Sequence, residues 1–184
     1  SYKQIIDEDY IPTFIKISGL NDVNSVISKN NISDLTKVYE IEIVPFTNIT
    51  EEISLKIDKD LLMVIINRII LNSIDIMCLE GIIKGRVEVK LIMDKLSEYV
   101  DIYICNSGTK FDWASLKHDW GRVFTAGGKK STGMGLHSIN EMLRMIESKK
   151  YKNGNYILLN NDSTDNEILA SIAFRIEIQE DTND

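Results

Sequence analysis

The chain has 184 residues, of which 43% are hydrophobic, so it can bury one sizeable core as a single domain. Its formal net charge of -7 argues against a nucleic-acid partner, because phosphate contacts need a net basic face. Any basic site must therefore be local. Cys78 and Cys105 lie in apolar stretches without metal-ligand spacing, which indicates free, buried thiols and a reducing compartment.

The first elements in chain order are the hardest to predict. Residues 2–40 mix short apolar clusters with Asn, Ser and Gly, which favours one or two short helices, with Pro12 in the first turn of one. The stretches "KVYEIEIVPF" and "EEISLKID" then alternate apolar and polar residues, and they predict two strands joined at "TNIT".

A long helix is predicted over residues 58–81. Asp58 is suited to cap its beginning and Gly81 to end it. Apolar residues run nearly all the way round this helix, so we expect it to pack against a sheet. Its interruptions by Asn, Arg and Asp make it too polar for a membrane span.

The second half of the chain is dominated by hairpins. "GRVEVKLIMD" and "EYVDIYICNSG" predict a hairpin around "KLSE", and "NYILLNND" with "EILASIAFRIEIQE" predicts another around "STDN". Between them lies a connection at 112–131 with little periodicity, and a loop of this length in a compact domain is usually functional. A helix is predicted over 133–147. Residues 181–184 are expected to be disordered. This order favours an α+β fold, a two-layer sandwich with helices on one face of a mixed sheet.

Three polar residues on the long helix share one of its faces. Arg68, Asn72 and Asp75 are four and three residues apart, so they project one turn above another. Asn72 offers a hard oxygen to Mg²⁺ without adding charge beside phosphates, and Asp75 could orient a water or a polar group. Alternatively, Asn72 satisfies a buried backbone group.

The strand ending "YICNSGTK" supplies a second candidate element. Asn106 lies at the strand tip, where its amide could read the edge of adenine. Gly108 would allow close approach of a flat ligand to the backbone. An ordinary turn is the alternative interpretation of this tripeptide.

The stretch "FTAGGKKSTGMGLHSINEML" supplies the third candidate element. The backbone N–H groups at the start of a helix form an anion site, and neighbouring lysines add charge for phosphate oxygens. Glycines before the lysines would let this loop close over a nucleotide as a lid, although a flexible solvated loop has the same composition. The residues expected to contact phosphate are Lys129, Lys130, Thr132, Gly133, Gly135 and Leu136.

Taken together, these segments resemble the ATP-binding catalytic domain of sensor histidine kinases. That domain belongs to the GHKL superfamily, shared with gyrase-type topoisomerases, the mismatch-repair ATPase and the large heat-shock chaperone. "INRIILNSIDIM" is similar to the N box, "DIYICNSGTK" to the first glycine box, and "GRVFTAGGKKSTGMGLHSI" to the lid and second glycine box. The resemblance covers about residues 40–180 and implies a Bergerat-type fold.

The resemblance implies that the chain binds ATP with Mg²⁺. Asn72 would be the metal ligand, Asn106 would hold the adenine amino group and Gly108 would line the base pocket. The turn at Gly133, Gly135 and Leu136 would surround the phosphates beneath the lid. It also implies a domain division, with an N-terminal segment at 1–40, which could be the end of a dimerisation region, an ATP-binding domain at 41–180 and a tail at 181–184.

Three positions depart from the family pattern. The family usually has Asp at the position of Asn106, although some peptide-sensing kinases carry Asn. Lys110 replaces an expected glycine. Arg68 stands where the hydrolysing ATPases carry the Glu that activates water, so ATP hydrolysis by their mechanism is not expected, and Asp75 could substitute only if it points into the site.

Three functions remain open at this point. The first is a histidine kinase catalytic domain, cytoplasmic or the cytosolic part of a membrane-anchored homodimer, that phosphorylates a histidine on a dimerisation domain and works with a response regulator. His118 and His137 are expected to be structural or solvent-facing, so the acceptor lies outside this chain. The second is an anti-sigma-factor-like serine kinase of the same fold. The third is a degenerate nucleotide-binding interaction module.

Overall fold

The computed structural model describes residues 13–27, 40–82, 84–108, 134–161 and 167–181. Strands and helices alternate irregularly along these ranges. The elements are β1 Phe14–Ile17, α1 Leu20–Ser25, β2 Glu40–Thr47, β3 Ile53–Asp58, α2 Lys59–Leu79, β4 Lys84–Met93, β5 Tyr99–Ser107, α3 Met134–Met145, β6 Ile157–Asn161 and β7 Ile168–Glu177.

A five-stranded mixed sheet organises the molecule. Its strand order is β2-β4-β5-β7-β6, with β2 parallel to β4 and every other pair antiparallel. A second sheet pairs β1 with β3. The helices pack on one face of the large sheet, so the fold is the predicted α+β two-layer sandwich. Both predicted hairpins, β4–β5 and β6–β7, are confirmed.

Helix α2 is the core helix of the sandwich. Asp58 precedes it in extended conformation and accepts a hydrogen bond from the Asp60 N–H at 3.3 Å, and Gly81 follows it at a φ of 75°. Both predicted ends are therefore confirmed. Full burial of each aliphatic side chain contributes about 1.5 to 3 kcal/mol. The α2 residues with no exposed surface are Leu62, Ile65, Ile66, Ile69, Ile70, Ile74 and Met77.

In the described ranges, one helical stretch, Lys59–Cys78, is long and apolar enough to cross a membrane by length and composition. Most of this stretch is buried inside the fold, where it packs against the sheet. Its apolar character is therefore accounted for by the core of the sandwich.

The N-terminal region differs from the prediction. The sequence predicts one or two short helices in residues 2–40, and α1 is such a helix, but β1 is a strand that pairs with β3. The prediction was wrong there because "FIKI" is too short to show a period, and its pairing partner is almost forty residues away. Residues 1–12, with Pro12, lie outside the described residues. Residues of β1 and α1 pack into the same core as the large sheet. The domain boundary expected at residue 40 stays a prediction.

The two strands joined at "TNIT" exist, but they do not pair with each other. β2 joins the large sheet and β3 the small one. The turn side chains explain this, since they bind β4. Thr47 Oγ1 donates to the Leu91 carbonyl at 2.8 Å, and Asn48 exchanges two hydrogen bonds with the backbone of Met93, at 2.8 and 3.1 Å.

The cysteines follow the prediction in part. Neither forms a disulfide with a described residue, and Cys105 is buried. Cys78, near the C-terminal end of α2, is only half-buried, because it packs at the margin of the core.

Candidate functional site

Two asparagines on α2 have opposite environments. Asn67 is buried, and its Nδ2 donates to the carbonyl oxygens of Val26 at 3.1 Å and Met63 at 2.7 Å. The side chain of Asn72 is half-buried and makes no hydrogen bond within the described parts of the chain. The role of satisfying buried backbone groups therefore falls to Asn67, and the amide of Asn72 keeps its donors and its acceptor available.

One turn before Asn72, Arg68 connects α2 to α3. Its side chain is exposed, and Nη1 donates to Ser138 Oγ at 2.8 Å. Ser138 lies one turn after the start of α3, and Leu136 beside it is buried in the core at 4% exposure. Two of the three predicted segments are thus in direct contact. Ser138 is not among the residues predicted from the sequence, and its spacing of four residues from Met142, which packs against the core, is the signal that could have placed it beside α2.

Asp75 completes what we call the α2 polar face, formed by Arg68, Asn72 and Asp75. Its side chain is accessible, yet desolvation by the surrounding protein raises the pKa of its carboxyl above the usual value. Burial disfavours the charged form of a carboxyl, which has this effect. Asp75 therefore holds a proton more readily than a fully solvated aspartate does.

Asn106 lies where β5 ends, between Val87 of β4 and Ala170 of β7. It points to the helical side of the sheet, since Ile102 and Ile104, at even positions with it, are in the core. Only 3% of its surface is exposed, and Nδ2 donates to the Ser107 carbonyl at a long 3.4 Å. The pairing with β7 shifts register immediately after Asn106, which re-aims the strand end.

Gly108 brings the end of β5 against the end of α2. It has a φ of 82°, and a Cβ added there would lie 2.6 Å from Cδ1 of Ile82. Only glycine accepts both conditions without strain or displacement. Ile82 and Gly108 therefore form an apolar wall at the same strand end as Asn106.

The remaining predicted site residues cannot be placed. Lys129, Lys130, Thr132 and Gly133 lie outside the described residues, as do Lys110, His118 and the whole connection at 112–131. Gly135 is within α3, but the structure describes only its backbone. Their contacts with phosphate stay predictions.

The described residues contain no group of three or more His, Cys, Asp or Glu side chains that could hold a metal ion. A site made entirely of protein carboxylates is therefore not found in these ranges. The chemistry of Asn72 does fit Mg²⁺, which takes one or two protein oxygens and completes its octahedron with phosphates and water.

The opposite face of the sheet carries a contrasting group, the β5–β7 ion cluster of Tyr99, Asp101, Tyr151 and Arg175. Arg175 donates from Nε and Nη2 to the two carboxylate oxygens of Asp101, at 2.8 and 3.1 Å, and Tyr151 donates to the same carboxylate at 3.1 Å. The guanidinium lies 3.8 Å from the Tyr99 ring centre and 4.6 Å from that of Tyr151. Its hydrogen bonds to Asp101 raise the pKa of Arg175, and burial raises that of Tyr151.

A groove of about 420 Å³ lies at the N-terminal end of α2, between β1, α1 and residues 58–60. It is more than ten residues from Asn72, or more than about 15 Å along the helix. Its lining mixes Asp22, Asp58 and Asp60 with Lys16 and Lys59. It is therefore separate from the α2 polar face.

Comparison with solved structures identifies the fold. The catalytic domain of histidine kinase ThkA aligns over 90% of this chain and 97% of its own, with a TM-score of 0.61 and 18% identity. ThkA in complex with response regulator protein TrrA aligns over 89% of this chain and 41% of its own, at 0.54 and 16%. Histidine kinase AdeS from Acinetobacter baumannii aligns over 91% and 69%, at 0.54 and 11%.

No protein-family model and no curated protein matches the sequence. At identities of 10 to 18%, the structural likeness establishes the fold alone. Function has to be argued from the residues of the site. The chain has the two-layer fold of histidine kinase catalytic domains, as the sequence resemblance predicted.

Proposed function

We propose that this chain is the ATP-binding catalytic domain of a sensor histidine kinase. It binds ATP with Mg²⁺ and transfers the γ-phosphoryl group to a histidine on a dimerisation domain outside this chain. Its working partners are that domain, a second copy of the full-length protein and a response regulator, the class of protein that accompanies ThkA in one structural neighbour. Its expected location is the cytoplasm, as a free protein or as the cytosolic part of a membrane-anchored one.

One observation carries this proposal. Asn72 is an amide on the core helix of a kinase-type fold, and it has no hydrogen-bond partner among the described residues. A half-buried amide without a protein partner keeps its N–H donors and its oxygen acceptor accessible, so this position in the fold favours a ligand. The sequence resemblance assigns the same residue to the metal.

The other described residues divide the binding work. Asn106, with the apolar wall of Gly108 and Ile82, would hold and orient the base. Asn72 would hold Mg²⁺, which when bound neutralises charge on the phosphates. Asp75, with its raised pKa, would accept or hold a proton near the reacting groups. Phosphoryl transfer needs mainly positioning and charge neutralisation, and this small set of side chains suits that chemistry.

Calorimetric titration with ATP and Mg²⁺ tests the proposal. Wild type should bind, while Asn72→Ala and Asn106→Ala should each lose at least about tenfold in affinity, equivalent to about 1.4 kcal/mol. Asn160→Ala is the matched control, because Asn160 is an exposed asparagine on β6. The affinity of this variant for ATP should equal that of wild type. Transfer of phosphate to an added dimerisation domain then measures the kinase step.

Because Asn106 is buried, its alanine variant could lose affinity through misfolding. Asn106→Asp keeps an oxygen acceptor at the same place and should retain binding. The proposal is wrong if wild type fails to bind ATP at millimolar concentration with Mg²⁺, or if Asn72→Ala binds as tightly as wild type.

An interaction module without nucleotide chemistry is the second candidate. The 3% exposure of Asn106 favours it, since the amide must become more accessible before it can contact a base. The same titration separates the two functions, because a module of this kind would show no heat of binding with ATP.

A further inference from the structure

We propose that Arg68 binds the terminal phosphate of the nucleotide and makes the site prefer a triphosphate to a diphosphate. This inference rests on the proposed function, because it concerns the same site. It assigns a role to the residue that departs most from the sequence pattern of the related ATPases.

The charge environment of Arg68 is the first argument. Each of the other described arginines lies beside a carboxylate, whereas Arg68 contacts a serine hydroxyl and forms no ion pair with any described residue. The paired arginines and their partners are Arg86 with Glu88 and Glu167, Arg144 with Glu141, and Arg175 with Asp101. In a chain of net charge -7, a cation without an acidic partner on the α2 polar face is therefore available to an anion.

The position of Arg68 along α2 is the second argument. The base end of the site is marked by Gly108 and Ile82, which follows the C-terminal end of α2. Asn72 lies ten residues before Ile82, and Arg68 lies a further four residues, or about 6 Å, beyond Asn72. The order along the helix is thus base, metal ligand, arginine, which places Arg68 where the last phosphate of an extended nucleotide would lie.

The hydrogen bond to Ser138 is the third argument. It holds the guanidinium at the junction of α2 with the first turns of α3. A guanidinium has several further N–H donors in a planar fork, and this geometry suits two oxygens of one phosphate. Ser138 acts through Arg68, so it is a positioning residue.

The test compares ATP and ADP, each with Mg²⁺, in calorimetric titrations of the whole chain. Arg68→Gln should weaken ATP binding by about 10- to 100-fold, the loss expected for charge-assisted hydrogen bonds. ADP binding should change by less than about twofold, since ADP lacks the phosphate concerned. The ATP affinity of Arg68→Lys should fall between those of wild type and Arg68→Gln, because lysine keeps the positive charge but lacks the planar fork of N–H donors.

Two further variants control the interpretation. Arg144→Gln removes an exposed arginine elsewhere on α3 and should leave both affinities unchanged. Ser138→Ala should reduce the preference for ATP less than Arg68→Gln does. Because Arg68 is exposed, Arg68→Gln should melt at the wild-type temperature. If it melts at a lower temperature, the comparison of ATP with ADP is made on Arg68→Lys instead.

The outcomes distinguish this inference from the proposed function. Equal losses for ATP and ADP in Arg68→Gln, or an unchanged ratio of the two affinities, overturn the role of Arg68 while the ATP site stands. A wild-type chain that binds neither nucleotide overturns both.

Discussion

The α2 polar face and the β5–β7 ion cluster lie on opposite sides of the same sheet and use polar groups in opposite ways. In the ion cluster, the carboxylate, the guanidinium and the phenol of Tyr151 bond to one another, and two rings cover the charge. On the α2 polar face, the side chains of Asn72 and Asp75 form no hydrogen bond with a described residue, and among these residues that of Arg68 bonds only to a hydroxyl.

This difference indicates what each region is for. Polar groups that bind each other fix the packing of the protein, and removing one of them leaves a buried partner without compensation. Polar groups that are only partly buried and lack partners contribute little to stability and can bind a ligand. We therefore expect changes in the ion cluster to affect unfolding and changes on the α2 polar face to affect binding.

The largest expected effect comes from breaking the ion cluster. Asp101→Ala would leave the guanidinium of Arg175, whose side chain is 18% exposed, without its counter-ion. The free energy of unfolding should fall by about 3 kcal/mol, as it does when one partner of a buried pair is removed. Urea denaturation measures this loss.

Glu141→Ala is the matched control, because it breaks the exposed pair with Arg144 and should leave the urea midpoint unchanged. If Asp101→Ala unfolds at the wild-type urea concentration, or if it abolishes ATP binding while remaining folded, the contrast between the two regions fails.

The two asparagines of α2 provide the second test. Asn67→Ala removes the amide bonded to Val26 and Met63 and should lower the free energy of unfolding by about 2 kcal/mol. Hydrogen exchange near Val26 should accelerate, since that carbonyl ties the end of α1 to α2. Asn72→Ala should leave stability unchanged. Equal losses of stability in the two variants would show that Asn72 is structural as well.

The smallest effect concerns Asp75. Because its pKa is raised in the folded state, its ionised form opposes folding at neutral pH. This cost is absent below the usual aspartate pKa, grows as the pH rises through the folded-state pKa, and is constant above it. Asp75→Asn should therefore be more stable than wild type at pH 7, by less than about 0.5 kcal/mol for so accessible a side chain.

The difference should shrink toward zero as the pH is lowered to about 4, in urea titrations at each pH. Asp22→Asn is a control of opposite sign, because hydrogen bonding from the Ser18 backbone N–H lowers the pKa of Asp22. That variant should be less stable than wild type at pH 7. A destabilised Asp75→Asn would mean that the carboxylate has a stabilising partner.

The sequence predicted the parts of the fold that carry a long period or a clear cap. Helix α2 has both, with Asp58 and Gly81 at its ends, and the hairpin strands β4, β5 and β7 are nine or ten residues long, which is enough to show a period of two. The strand β1 has four residues, and its identity depends on pairing with distant β3, which no local pattern reveals. The separation of β2 from β3 likewise depends on contacts of Thr47 and Asn48 with β4.

The site was predictable as a set of residue types and only partly as geometry. Asn67 and Asn72 differ by five positions on a helix that is apolar nearly all round, so the pattern alone could not show which one is bonded to the backbone. The contact of Arg68 with Ser138 joins residues seventy positions apart. The roles of Lys129, Lys130, Thr132, Gly133 and Gly135 stay predictions.

The position of β7 in the sheet has a consequence for synthesis of the chain. β7 lies between β5 and β6, although it follows both in sequence. Until residues 168–177 have left the ribosome, the central strand β5 has an unpaired edge and the apolar surface beneath it is open. A nascent chain in this state is prone to pair with other strands, so we expect the sheet to close late and chaperones to protect it until then.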